Sequence, residues 1–230
     1  TENPARPWVV TDRRNGRQQY VYLANFDWYN YLYDDSRPTW DHNINIKGGT
    51  KALSYMVSGR YYQQKGVNRI EPDMFKSYNF RVKLQAEIKP WLTIASNTKF
   101  FQSNYKYYGY EDEYNNFRKP TLHALASFVP VNPDGTAVSH TSMTQSSMWN
   151  IYSAMMQKGK SFGNKKTQEI TTTFEATFKL HKNFNVKADF SYTQGYLHND
   201  YRSVNVQYSQ YPGEVMTEPE GSFPNKYKEV

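Results

Sequence analysis

The sequence predicts an all-β protein, an antiparallel transmembrane β-barrel segment, on three observations. First, polar and apolar residues alternate at period two over runs of about ten residues, longer than the five or six usual in soluble strands. Second, tight turns join these runs at 89–91 and 181–183, whereas a long Tyr-, Gly- and Asn-bearing stretch, 104–168, separates two of them. Third, the apolar matter is aromatic: 21 Tyr, 13 Phe and 5 Trp stand against nine Leu, at a mean hydropathy of −0.88. That balance excludes a helical bundle and a coiled coil. No stretch approaches the roughly 20 apolar residues of a spanning helix. So many rings in one chain also argue against disorder.

Residues 1–40 read as an irregular entry segment, punctuated by Pro4, Pro7, Gly16 and Pro38 and carrying an aromatic cluster from Tyr20 to Tyr33. Barrel strands follow over 41–103. Ile44 and Ile46 alternate with Asn43, Asn45 and Lys47, Gly48-Gly49-Thr50 turns the chain, and Leu53, Tyr55, Val57, Gly59 and Tyr61 share one parity. The pattern is that of a hairpin. Lys65-Gly66 marks the next reversal. From Asn79 to Ile88, Phe80, Val82, Leu84, Ala86 and Ile88 face one side and Arg81, Lys83, Gln85 and Glu87 the other. Lys89-Pro90-Trp91 turns the chain, and Leu92, Ile94, Thr98 and Phe100 continue the apolar parity. The region 104–168 is expected to be a long extracellular loop, with a short amphipathic helix near 146–157 built on Met148, Ile151, Tyr152, Met155 and Met156. Over 169–230 barrel strands and a further loop are expected. Ile170, Thr172, Phe174, Ala176, Phe178 and Leu180 form one apolar parity. Phe184, Val186, Ala188, Phe190 and Tyr192 form the next, across a turn at His181-Lys182-Asn183.

A ten-residue strand rises roughly 33 Å, or about 25 Å at a tilt near 40°, the height of the apolar band of an outer-membrane barrel. The opposite parity would then line a wet lumen with Arg81, Lys83, Glu87, Glu175, Lys179, Lys187 and Asp189. Register is stiffly specified in such a wall. A one-residue slip would place those charges in lipid, at roughly 2–4 kcal/mol for each Lys or Arg near the midplane. The soluble rival is a secreted β-sandwich that binds glycans through exposed Tyr and Trp. A small passive porin is a further alternative, since eight strands suffice to close a barrel.

One ordered set of motifs resembles a known family. Phe26-Asp27-Trp28, the run Trp40-Asp41-His42-Asn43-Ile44-Asn45-Ile46-Lys47-Gly48-Gly49-Thr50, and the run from Tyr55 through Ser58 and Tyr61 to Gln64-Lys65-Gly66 are similar to the early barrel of SusC/RagA-type TonB-linked outer-membrane transporters of Bacteroidetes. Tyr78-Asn79-Phe80-Arg81, Pro90-Trp91-Leu92, Pro130-Val131 with Asp134-Gly135, and Asn183-Phe184-Asn185-Val186-Lys187-Ala188 extend the resemblance over most of 26–195. It implies a part of a roughly 22-stranded barrel that other segments of the same transporter complete. It also implies import of oligosaccharides or oligopeptides, a SusD-like surface lipoprotein as lid, and TonB acting through a plug region. Members of the family carry a signal peptide, a TonB-contacting segment and a plug before this region. None of these precedes residue 26 here, so the resemblance implies that 230 residues are a piece of a longer chain.

The sequence offers no catalytic constellation, and the expectation is a protein that is not an enzyme and uses no cofactor. The five His (42, 123, 140, 181 and 198) lack ligand spacing, so no metal site is expected. Zero Cys removes thiolate chemistry. The net charge of +7 is spread singly along the chain, which argues against nucleic acid as a partner. The candidate substrate-binding residues are Tyr107, Tyr108, Tyr110, Glu111 and Asp112. Rings stack on the C–H faces of sugars while carboxylates accept from hydroxyls. An aromatic girdle at the outer membrane interface would use the same kind of residue, and for Tyr105 and Tyr107 both readings stand.

Overall fold

The structure, a computed structural model, describes residues 3–107, 125–138, 160–204, 207–217 and 226–229. Its main body is one antiparallel sheet built almost wholly from consecutive hairpins: β3 (Thr39–Gly49), β4 (Leu53–Lys65), β5 (Met74–Lys89), β6 (Leu92–Tyr107), β7 (Phe162–His181) and β8 (Phe184–Ser203). A short β11 (Lys226–Glu229) adds to the far end of β8, giving seven strands in the order β11-β8-β7-β6-β5-β4-β3. The all-β antiparallel expectation therefore holds.

Each tight turn has a chemical reason. In the β3–β4 turn the Thr50 hydroxyl accepts from the amides of Ala52 (3.3 Å) and Leu53 (3.1 Å), while the Thr50 amide donates to the Leu53 carbonyl (2.6 Å). Such a hydroxyl stands in for a backbone acceptor. In the β5–β6 turn, Pro90 sits where no ladder amide is needed. Trp91 then stacks on Phe178, with ring centroids 6.4 Å apart, and accepts from the Lys179 amide (2.8 Å), tying this turn to β7.

Register sorts the side chains into two faces. Pairs such as Val57↔Val82, Val82↔Thr98, Thr98↔Thr172 and Thr172↔Tyr192 put one parity of every strand together. Ile44, Ile46, Phe80, Leu84, Ile170, Phe174, Leu180, Phe184 and Phe190 all lie on that face. They are bare: Phe174 is 55% exposed and Phe190 67%. A soluble sandwich would cover such a face with a second sheet; no described residue covers this one. On the sheet, Leu197 is the exposed large apolar side chain that sits on the opposite face, opposite Thr167.

Two expectations are corrected. The strands are longer than ten residues: β5 and β6 have 16 each, β7 and β8 have 20 each. Pairing continues through Asn104↔Lys166 to Tyr107↔Gly163, inside the stretch expected to be loop. The entry segment is also not irregular throughout. It holds a hairpin of β1 (Val9–Arg14) and β2 (Arg17–Tyr22), closed by Asn15 (φ 53°) and Gly16 (φ 79°). Both turn residues are left-handed, as a two-residue hairpin loop matched to the strand twist requires. The expected helix near 146–157 lies outside the described residues.

The buried core sits at the long-loop end of the sheet. Helix α1 (Trp28–Leu32) is capped by Asp27, whose carboxylate accepts from the Asn30 amide at 3.0 Å. It buries Trp28 and Leu32, one turn apart, against Tyr33 and Phe128. Segment 125–138 is stitched to the entry segment by the Trp28 Nε1 donation to the Leu125 carbonyl (2.9 Å) and the Phe26 amide donation to the Ala126 carbonyl (2.8 Å). Two-residue strands β9 (Gln207–Tyr208) and β10 (Met216–Thr217) complete this cap. Buried Asn132 accepts from the Tyr22 hydroxyl (2.8 Å) and donates to the Ser209 carbonyl (3.1 Å), joining three distant segments.

Candidate functional site, the polar face and its upper rim

The residues expected to line a lumen all fall on one face of the sheet. Reading across β4 to β8, register gives the rows Ser58–Arg81–Lys99–Thr171–Thr193, Met56–Lys83–Asn97–Thr173–Ser191 and Ser54–Gln85–Ala95–Glu175–Asp189. Glu87, Lys179 and Lys187 continue the face toward the tight turns. Neighbours one strand apart, about 4.8 Å, are within reach of one another. Accordingly Lys187 Nζ pairs with Glu175 (2.8 Å), Arg81 Nε donates to Asn97 Oδ1 (2.9 Å), and Arg60 pairs with Asp41 (2.6 Å). Thr173 and Ser191 share a hydrogen bond of 2.8 Å.

Three depressions open on this face. One of about 480 Å³ is lined by Lys47, Lys83, Asn97 and Glu175. One of about 430 Å³ is lined by Arg60, Arg81, Lys99 and Glu169. A third, of about 280 Å³, lies toward the turns between Glu87 and Lys179. Every one is walled by alternating cations, anions and amides, a surface that hydrogen-bonds a polar solute and water equally well.

At the upper rim the structure places Tyr107 on the same polar face, stacked on Tyr105 with centroids 5.4 Å apart and planes 21° apart. The Tyr105 hydroxyl donates to Asp73 (3.2 Å) and the Tyr107 hydroxyl to Asn199 (3.3 Å). Two glycines make room for this arrangement. Gly163 lies directly opposite Tyr107, and a Cβ there would clash with the Tyr107 Cζ. A Cβ at Gly66 would meet the Asp73 carboxylate. The rim therefore combines a flat aromatic surface with a carboxylate and an amide. Asp73 and Asn199 were not anticipated; the readable signal was Gly163, an interior strand glycine that marks a close approach. Tyr108, Tyr110, Glu111 and Asp112 lie outside the described residues.

Behind the rim the cap carries shifted groups. Burial, then the hydrogen bond to Asp134, pushes the Tyr20 hydroxyl up to about 12. Burial raises Tyr22 as well. Asp34 titrates below the usual carboxylate range, held first by Arg69 (2.9 Å) and then by Lys65 (3.2 Å). That carboxylate clamps the end of α1 to the β4–β5 loop, where the Asp34 amide donates to Val67 and the Arg69 amide to Leu32 (both 2.8 Å). Among the described residues no group of three or more His, Asp or Glu side chains is placed to hold a metal ion. None of the described helices is long and apolar enough to cross a membrane, which leaves crossing by strands untouched.

No protein-family model matches the chain, and no curated protein matches it. Among solved structures, a chain of the RagAB peptide transporter is similar in fold at a TM-score of 0.61 and 20% identity. A chain of the RagAB peptide importer in its closed-closed state is similar at 0.59 and 18%. The matches cover 78% and 79% of this chain and only 20% of each of those chains. In fold, this chain is similar to about a fifth of a peptide-transporter subunit.

Proposed function

We propose that the chain forms part of the wall of a TonB-dependent outer-membrane importer for oligopeptides or glycans. The bare face of β3–β8 faces lipid, and the polar face lines the lumen through which substrate passes. One observation carries this reading. On the bare face of β7 the apolar residues run from Leu180 to Ile170 and then give way to Gln168, Lys166 and Asn164. Eleven residues rise about 36 Å, or about 27 Å at a tilt near 40°, which is the height of an outer-membrane apolar band. The short turns lie at one end of that band and the long connections at the other, the asymmetry of periplasmic and extracellular sides. The likeness in fold to RagAB transporter chains supports the same reading and favours oligopeptides as cargo.

In this reading the wall binds and guides and performs no covalent chemistry. A SusD-like lipoprotein closes the extracellular mouth, and energy arrives from TonB through a plug supplied by another part of the transporter. Tyr105, Tyr107, Asp73 and Asn199 meet the substrate at the rim, and Arg81, Lys83, Lys99 and Glu175 keep the passage wet. The test is uptake of labelled oligopeptides by cells carrying the intact transporter, with and without TonB. Uptake that disappears in both the transporter deletion and the TonB deletion is expected. Uptake indifferent to TonB would replace the importer with a passive pore, and a protein monodisperse without detergent would remove the membrane altogether.

A further inference from the structure

From the tight turns up to the row Tyr78–Gln102–Gln168–Tyr196, the bare face of the sheet carries no Lys, Arg, Asp or Glu. The next row is Lys76–Asn104–Lys166–His198, and the row above it is Met74–Lys106–Asn164–Asp200. Charge therefore appears on this face at one height, immediately beyond the apolar band, and the first charges are cations on alternate strands. Lys76 and Lys166 start about 10 Å apart, two strand spacings, and Lys106 rises between them about 7 Å further along β6. Three four-carbon stems from such a triangle reach a common point, and Asn104 offers an amide at its centre.

None of the ion pairs among the described residues uses these three lysines. Asp200, the carboxylate in the upper row, already accepts from Asn164 Nδ2 (3.1 Å) and lies 3.5 Å from His198 Nε2. Lys65, next to Met74 on the same face, is matched by Asp34. On the polar face Arg60 and Lys187 are matched by Asp41 and Glu175, whereas Lys83, Lys99 and Lys179 there stand outside those ion pairs and directly adjoin no apolar band. The row directly below holds Tyr78 and Tyr196, rings suited to the interface between hydrocarbon and headgroups.

We infer that Lys76, Lys106 and Lys166, with Asn104, form an external site for the phosphorylated headgroup of an anionic outer-leaflet lipid whose acyl chains lie along the apolar band beneath it. Two features of the surface select this occupant: unmatched positive charge meets phosphate, and the apolar face continuous with it meets the chains. Juxtamembrane cations of this kind attract anionic lipid headgroups. The inference rests on the membrane reading above, because only a membrane brings a headgroup to this height.

The test uses the full-length transporter reconstituted in phosphatidylcholine vesicles with added phosphorylated lipid A. Retained lipid A per protein is counted by native mass spectrometry. The variant Lys76→Gln/Lys106→Gln/Lys166→Gln is expected to lower apparent affinity at least tenfold. The polar-face control Lys83→Gln/Lys99→Gln/Lys179→Gln is expected to match the wild type. Equal retention by the two triple variants overturns the site, as does competition by inorganic phosphate at the concentration where lipid A binds. Flotation with the vesicles is scored separately. A wild type that fails to float overturns the membrane reading. Wild type and variant that both float and bind lipid A equally overturn the lysine site alone.

Discussion

Placing an arginine at two adjacent positions of β7 separates a membrane wall from a soluble sheet. Phe174 lies near the middle of the apolar run Ile170–Leu180, on the bare face, paired with Phe190 on one side and Ser96 on the other. Thr173 is its neighbour in sequence but turns to the polar face, between Asn97 and Ser191, where its hydroxyl bonds that of Ser191 at 2.8 Å. If the bare face is in hydrocarbon, Phe174→Arg puts a guanidinium near the bilayer midplane at a cost of roughly 2–4 kcal/mol. At 1.4 kcal/mol per decade this is about 30- to 700-fold in the folding equilibrium. Thr173→Arg meets water and polar neighbours and loses one hydrogen bond, about 1 kcal/mol. Urea-dependent folding of the full-length barrel into vesicles, followed by heat-modifiable electrophoretic mobility, reads both. In water the 55% exposed Phe174 would tolerate arginine within about 0.5 kcal/mol. Equal tolerance at 173 and 174, or a larger loss at 173, would refute the assignment of faces.

Two further outcomes follow from local geometry. Gly163→Ala drives a methyl into the Tyr107 ring. The expected loss is about 1–3 kcal/mol by overpacking, recovered in Gly163→Ala/Tyr107→Ala. A neutral or stabilising Gly163→Ala would remove the stacked rim. Asp34 is depressed in the folded state by Arg69 and Lys65. Its contribution is thus fully present above the unfolded carboxylate value, about 3.9, and fades as pH falls through the lower folded value. Protection of the Asp34 and Arg69 amides from hydrogen exchange, taken relative to their intrinsic rates at each pH, is expected to fall in acid. In Asp34→Asn that protection should already be low at neutral pH and nearly flat with pH below it; an unchanged acid response in that variant would relieve Asp34 of the role.

The sequence pattern was legible only where the two faces differ in polarity. Within the band, Phe174 beside Thr173 and Leu84 beside Lys83 announce a strand, and the two parities read there lie on opposite faces of the sheet. Above the band the outward residues become Gln102, Asn104, Gln168 and Lys166. Both parities are then polar and the period-two signal vanishes, although the backbone ladder runs on for several more pairs. Hydropathy reports what a face touches; it is blind to a hydrogen-bonded strand with water on both sides. The entry hairpin hid differently. Val9–Arg14 and Arg17–Tyr22 alternate poorly, and its one strong mark was Asn15-Gly16. At the rim, Tyr107 was legible as a ring beside a long connection. Asp73 and Asn199 were not, because only pairing across β5 to β8 brings residues so far apart in sequence to one edge.

The same pairing shows what the sheet lacks. Among the described residues β3 has a partner on one side only, and β8 is matched on its outer side by β11 for four pairs, Asp200 to Ser203. From Phe184 to Asn199 the outer edge of β8 therefore presents backbone N–H and C=O groups without strand partners among the described residues, at the height where the bare face is most apolar. In water such edges are tolerable; in hydrocarbon each unmatched group costs several kcal/mol, and only closure removes the cost. If the uncovered apolar face lies in hydrocarbon, as proposed, the same face thus also requires strands beyond this sheet. The cap fits that requirement. Entry segment, 125–138 and 207–217 are stitched together above the sheet through Trp28, Asn132 and Tyr20, so the long-loop end is organised by the chain itself. In the proposed barrel the two lateral edges are left to strands outside this sheet.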